Sequence, residues 1–489
     1  MRKRYLSLLL FLFFSFCSIA QYPRPKLLVG IVVDQMQPDY LNRFNAQLSE
    51  NGFKRLLKDG FNCRNAHINY IPTITGPGHA SIFSGTSPRY HGIVANEWYD
   101  RALGTEVYCV ADSGEQIVGA STATAGVSPR QLLATNLADE LKIYSNQQCK
   151  VISLSLKDRA AVLPGGHMPD GAFWLDQESG NFVTSTFYMS RLPDWVEQFN
   201  QKRLADFYLN QTWTLLLPAD QYPTSLSDDN PYETLFKGKD KPVFPYSLKD
   251  LSALNSPRYA MVYKTPFGNS LLADLAIETL QKTNIGHGTY TDFLTISFSG
   301  TDAVGHAFGP RSLELNDTYC RLDRDIARLL DALDKYVGKG NYTLFLTADH
   351  GVNENPDYLK NRNIPAGYLT VEKIRDSLAV YLNRKLGPGN WIESIAGEQI
   401  YLNQKLIAAA NRNLDEIQRI SVDYLTTING IAHVYTSYEL EKFEYSERLA
   451  FMLRNGFYYN RSGDIKVYNE SGMDWRFGFN MLSWYRLCI

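Results

Sequence analysis

Cysteine is scarce and unpatterned in this chain: six in 489 residues, with no C-x-x-C spacing anywhere. A thiolate-held zinc site is thereby excluded. After residue 20 no apolar run reaches the length of a bilayer-spanning helix. A basic excess is also lacking. With Arg2, Lys3 and Arg4 set aside, 46 basic residues face 51 acidic ones. Such a balance lacks the electrostatic footprint of a nucleic-acid binder, so no nucleic-acid partner is expected. No internal repeat and no low-complexity segment is present, which excludes solenoids and tail-like interaction segments.

Residues 1–20 stand apart from the rest. Arg2-Lys3-Arg4 forms a basic n-region, Leu8 to Phe16 an apolar h-region, and Ser18-Ile19-Ala20 a small-residue cleavage site. This is the pattern of a signal peptide, and bulky Phe16 before Cys17 fits a lipobox poorly. The expectation is a chain that starts near Gln21, is periplasmic or secreted, and has no membrane attachment once the signal is removed. Cys63, Cys109, Cys149, Cys320 and Cys488 then remain. Export permits disulfides, but spacing alone does not pair them, and an odd count leaves one over.

What is present is a recurring α/β pattern. Lys26 to Asp34 reads Lys-Leu-Leu-Val-Gly-Ile-Val-Val-Asp. So short and continuous an apolar run fits a strand buried on both faces of a parallel sheet. Lys150–Leu156, Phe293–Phe298 and Thr343–Ala348 repeat it. Amphipathic segments at 39–60, 130–144, 265–282 and 316–337 read as helices; the last carries Leu322, Ile326, Leu329, Leu330 and Leu333 on one face. The fold class is α/β, a mostly parallel sheet flanked by helices. Residues 21–489 form one such domain, with cap-like insertions where the period fades, at about 182–258 and 357–440.

The stretch Ile71-Pro72-Thr73-Ile74-Thr75-Gly76-Pro77-Gly78-His79 introduces an apolar-periodic segment. Pro is well placed in the first turn of a helix. The Thr75 hydroxyl then sits at or just before a helix N-terminus, where free N–H groups and the dipole favour an anion. The competing reading is that Thr75 or Thr73 merely caps the helix.

Three apolar runs lead into Asp34, Asp302 and Asp349, and two of these carry a nearby histidine, His306 and His350. In open α/β sheets ligands bind beyond the carboxyl ends of the strands, so the three carboxylates converge. Any one of them alone reads as a helix cap or turn residue. Together they repel one another unless a cation lies among them. Carboxylate plus imidazole without thiolate suits zinc, then manganese or iron. His67, His79, His91 and His433 have no carboxylate at ligand-like spacing and read as structural or exposed.

On the Thr75 stretch, Asp302-x-x-x-His306 and Asp349-His350-Gly351, the chain resembles the alkaline phosphatase superfamily over most of residues 26–460. The nearest likeness is to its phosphate-irrepressible alkaline phosphatase branch, with the nucleotide pyrophosphatase/phosphodiesterases as cousins. The resemblance implies two zinc ions. Asp34, Asp349 and His350 would hold one, with Thr75 as a further ligand and the nucleophile. Asp302 and His306 would hold the other. Asn96, Lys157 and Arg159 match positions that grip phosphoryl oxygens, and small-molecule phosphate esters are the implied substrates. The family's further histidine near the C-terminus has no counterpart, since no His follows His433. The expectation is an incomplete end and a weaker Asp302/His306 metal.

Three other readings remain. A sulfatase needs a C/S-x-P-x-R context, which Thr75-Gly76-Pro77-Gly78-His79 lacks. A phosphodiesterase shares the nucleophile and the carboxylates, but Lys157-x-Arg159 offers two cations to the extra charged oxygen of a monoester. A non-catalytic phosphate-binding protein is the reading that the missing histidine favours. Nothing in the sequence specifies an oligomeric state.

Overall fold

The computed structural model describes residues 24–120, 125–446, 448–477 and 481–482. The expected signal peptide, Cys488 and the chain end past 482 lie outside the described residues. Eight strands form the main sheet: β1 (Leu27–Val33), β2 (Ala111–Val118), β3 (Ala125–Val127), β4 (Val151–Ser155), β5 (Gly171–Leu175), β6 (Phe182–Ser185), β7 (Asp292–Phe298) and β8 (Tyr342–Thr347). Their spatial order is β8-β1-β7-β4-β5-β6-β2-β3. The first five are mutually parallel and the last three antiparallel. Helices on both faces bury the central strands, which is why β1, β4 and β7 read as unbroken apolar runs rather than alternating ones.

Register is what aligns the strand ends. Val33 of β1 pairs with Phe298 of β7, Val32 with Thr347 of β8, and Ser297 of β7 with Ser155 of β4. The residues after these four strands therefore emerge side by side at one edge of the sheet.

Five helices carry or back this edge: α1 (Thr75–Ser84), α2 (Asp158–Gly165), α3 (Pro266–Lys282), α4 (Gly300–Phe308) and α5 (Leu313–Leu333). The expected helix at 39–60 is instead two short ones, Asp39–Arg43 and Phe53–Asp59. The segment 130–144 is α-helical only over Leu137–Tyr144, where Asn136 and Asp139 form a capping box that sets the start, after a 3-10 turn at Pro129–Gln131.

The stretch 182–258 is low in periodicity but not in buried apolar surface. Val196, Phe199, Leu209, Trp213 and Tyr246 join the main core. Buried Asp317 of α5 pins part of it, accepting from Trp213 Nε1 (2.8 Å), Tyr222 OH (2.7 Å) and the Leu216 N–H (2.7 Å). Much of residues 357–440 is also regular. Short strands Ile392–Ala396, Gln399–Leu402 and Ile431–Thr436 join Ile465–Asn469 in an antiparallel sheet backed by helices Val371–Leu386 and Leu414–Leu425. Leu378, Leu382, Leu402, Ile417 and Val467 form its separate core.

The four described cysteines, Cys63, Cys109, Cys149 and Cys320, are free. No helix among the described residues is long and apolar enough to cross a membrane.

Candidate functional site

The aligned strand ends deliver the site. Asp34 follows β1 directly and is fully buried; Asp349 and His350 follow β8, and Lys157 follows β4. β7 leads into α4, whose first turn carries Asp302 and whose last carries His306.

Thr75 is the first residue of α1. Ile74, not Thr75, is the N-cap, and no side chain caps this helix. The hydroxyl is thus released from capping. Gly78 lets α1 approach: a Cβ there would lie 2.7 Å from the Asp349 backbone oxygen. Asn96 Oδ1 accepts the Gly76 N–H at 2.7 Å, tying the start of α1 to a segment twenty residues on. The polar-aromatic segment after Asn96 is a hairpin in which Glu97–Asp100 pairs with Thr105–Tyr108.

Asp34, Asp349 and His350 each offer a ligand atom within 4.8 Å of the others. Asp34 Oδ1, Asp349 Oδ2 and His350 Nε2 are buried and make no well-aligned hydrogen bond, although His350 Nε2 lies 3.3 Å from Asp34 Oδ1 and His79 Nδ1 3.3 Å from Asp349 Oδ2. His350 Nδ1 lies 2.8 Å from the Gly351 carbonyl, which only accepts, so Nδ1 carries a proton and Nε2 faces the carboxylates. Buried polar atoms without good hydrogen bonds are costly, and three facing one another fit a cation held by oxygen and imidazole. His306 Nε2 stands 3.0 Å from Asp302 Oδ1, and His350 Nε2 lies 3.9 Å from that same oxygen. The two expected ligand sets are therefore neighbours.

The electrostatics agree. Burial lowers the affinity of the His350 ring for a proton, but Asp349, Asp34 and Asp302 push its pKa up to about 10. The same carboxylates favour a metal ion in place of the Nε2 proton. Burial likewise opposes the Lys157 charge, and Asp302 and Asp34 outweigh it, raising the pKa. The Lys157 ammonium bridges Asp34 Oδ2 (2.7 Å) and Asp302 Oδ2 (2.6 Å) and lies 3.4 Å from Thr75 Oγ1.

Arg159 stands apart from the carboxylates. Its guanidinium donates to Tyr108 OH at 3.1 Å, and that hydroxyl donates to Asp158 Oδ1 at 2.5 Å. Lys157 and Arg159 share the wall of a cleft of about 400 Å³ with Trp174 and Tyr263.

Two residues at the site escaped sequence reasoning. His79, read as having no carboxylate partner, is fully buried with Nδ1 3.3 Å from Asp349 Oδ2. The same nitrogen lies 2.9 Å from the Thr75 carbonyl, and Nε2 2.8 Å from Ser297 Oγ. Its i+4 spacing from Thr75 was the available signal, but both side-chain partners are remote in sequence. Gln35 was the other. It is buried, donates Nε2 to Asp302 Oδ1 (2.9 Å), and follows Asp34 without any motif to mark it.

The profile of the family "Type I phosphodiesterase / nucleotide pyrophosphatase" matches residues 28–481. The chain is 41% identical over 451 residues to alkaline phosphatase PafA of Elizabethkingia meningoseptica, covering 92% of this chain and 82% of that one. It is 40% identical over 449 residues to alkaline phosphatase PhoV of Synechococcus elongatus, covering 92% and 80%. Solved structures of PafA superpose with a TM-score of 0.88 at 40% identity, covering 92% of this chain and 86% of that one. One is wild type; the other is changed at a threonine, an asparagine, a lysine and an arginine. The chain belongs to the type I phosphodiesterase / nucleotide pyrophosphatase family, within the alkaline phosphatase superfamily.

Proposed function

We propose that this protein is an exported phosphate monoester hydrolase that uses Thr75 as nucleophile beside two zinc ions. The observation that carries the reading is the placement of the uncapped Thr75 hydroxyl at the N-terminus of α1, 3.4 Å from Lys157 Nζ and beside Asp34, Asp302 and Asp349. Relatives named alkaline phosphatases support it, as does the PafA variant, whose four changed residue types are those of Thr75, Asn96, Lys157 and Arg159.

Asp34, Asp349, His350 and Thr75 would hold one zinc, and Asp302 and His306 the other. Bound divalent ions supply Lewis-acid stabilisation of the alkoxide and of the developing charge. Thr75 Oγ forms a bond to phosphorus while the ester oxygen–phosphorus bond breaks. The hydroxyl proton is lost, the departing alcohol gains one, and a phosphothreonine remains. Water then cleaves that bond, releasing phosphate and restoring the hydroxyl. The α1 N-terminus favours the phosphoryl charge through the helix dipole. Asn96, anchored through Oδ1, presents its amide N–H groups to a non-bridging oxygen. Lys157 and Arg159 add charge-assisted hydrogen bonds, and Tyr108 orients the guanidinium for this.

The test is zinc analysis of the purified chain beside turnover of an aryl phosphate monoester and the matching diester. Monoester turnover in excess is expected. A reversed preference makes the protein a phosphodiesterase, and zinc binding with no turnover of either leaves phosphate binding alone.

A further inference from the structure

Gln35 is a non-glycine residue in the left-handed region, with φ 67°, and is only 2% exposed. Such a conformation costs about 1 kcal/mol or more, and persists where the surroundings determine it. Here they do. The Gln35 N–H donates to Asp349 Oδ1 at 3.2 Å, and its side-chain amide donates to Asp302 Oδ1 at 2.9 Å. One residue thus hydrogen-bonds a carboxylate from each of the two ligand sets. A second observation comes from α4. A Cβ at Gly305 would lie 1.9 Å from Gln35 Oε1, so the amide sits in space that any other residue at 305 would fill. Gly305 is flanked by Asp302 and His306 on the same helix, where helix propensity alone favours alanine.

Resting on the two-metal reading above, we propose that Gln35 is a positioning residue that couples the two metal sites. Its amide holds Asp302 Oδ1, opposite the Lys157 ammonium on Oδ2, and its backbone joins the His350 N–H on Asp349 Oδ1, so both carboxylates are turned by donors that include Gln35. Gly305 is glycine to admit it. A carboxylate free to turn about its Cβ–Cγ bond must lose that freedom when it takes up a metal. One already held by a donor has lost it, which is why partners of metal ligands set affinity.

The test uses the full chain, stripped of metal and reloaded against a chromophoric chelator, with melting of the stripped protein in parallel. Gln35→Gly accepts the positive φ, keeps the N–H for Asp349 and removes only the side-chain donor. It should weaken the more weakly held zinc by about 10- to 100-fold while the stripped protein melts no lower than wild type. Gly305→Ala should reproduce the zinc loss although it favours the helix. The double variant should bind zinc no worse than Gln35→Gly alone, because the group with which the new methyl clashes is gone. Wild-type zinc affinity in Gln35→Gly overturns the proposal. So does a lowered melting temperature without any change in affinity, or losses that simply add in the double variant. If the wild-type chain itself takes up no zinc, the two-metal reading fails and this inference falls with it.

Discussion

At the scale of single residues the proposed chemistry rests on Thr75 and the two cations that come after β4. Thr75→Ala should abolish monoester turnover with zinc still bound, since the remaining ligands are unchanged. Thr75→Ser keeps the hydroxyl and should retain measurable turnover. Full activity in the alanine variant would remove Thr75 from the mechanism. Lys157 and Arg159 make a different prediction, because a monoester dianion carries one more charged oxygen than a diester. Replacing either should lower kcat/KM for the monoester by about ten- to a hundred-fold, corresponding to roughly 1.5–3 kcal/mol for a charge-assisted hydrogen bond. The diester should lose much less. Equal losses on both substrates would make the pair a support for the site rather than its selector. Tyr108→Phe, which releases the Arg159 guanidinium from its hydroxyl partner, should move the monoester value in the same direction as Arg159→Ala but less far.

At the scale of elements, the segment leading into α1 is held by helix Arg448–Asn455 and strand Ile465–Asn469. The Ile71 N–H donates to the Met452 carbonyl at 3.1 Å, and buried Lys466 donates to the Ile71 carbonyl at 3.1 Å. Burial drives the Lys466 pKa from its ordinary value down to about 8, with only Glu398 opposing the shift. The unfolded chain keeps an ordinary lysine near 10.4. Between these two values the unfolded state binds more protons than the folded one, so the folded protein gains stability as pH rises from about 8 to about 10.4. Below 8 both states carry the proton and the contribution has no slope. Urea unfolding at pH 8 and pH 10 should show wild type gaining on the order of 2–3 kcal/mol from this group. Lys466→Met should lose that gain. A gain of the same size in the variant would assign it to other groups.

At the scale of the whole molecule, the two proposed ligand sets, of different size, meet at one edge of one sheet. Asp34, Asp349 and His350, with Thr75, outnumber Asp302 and His306. Titration of the zinc-loaded protein with a chelator should therefore remove metal in two steps. The first should take most of the monoester turnover, and the second most of the ligand-linked rise in melting temperature. Loss of both metals in a single step would contradict unequal sites. The sequence by itself determined the parallel strands, the start of α1 and the carboxylates at the strand ends, although β8, read as buried on both faces, is the half-buried edge strand. Each of those is a local pattern: an apolar run, a Thr-Gly-Pro-Gly turn, an aspartate after a strand. Register decided whether the aspartates meet, and register is set by the pairing of strands far apart in the chain. The contacts of His79 and Gln35 were likewise decided in space, with partners 218 and 267 residues away. The second core went unread for a related reason. Its strands Ile392–Ala396 and Gln399–Leu402 are too short for a period to show, and only packing against helices Val371–Leu386 and Leu414–Leu425 makes them a sheet.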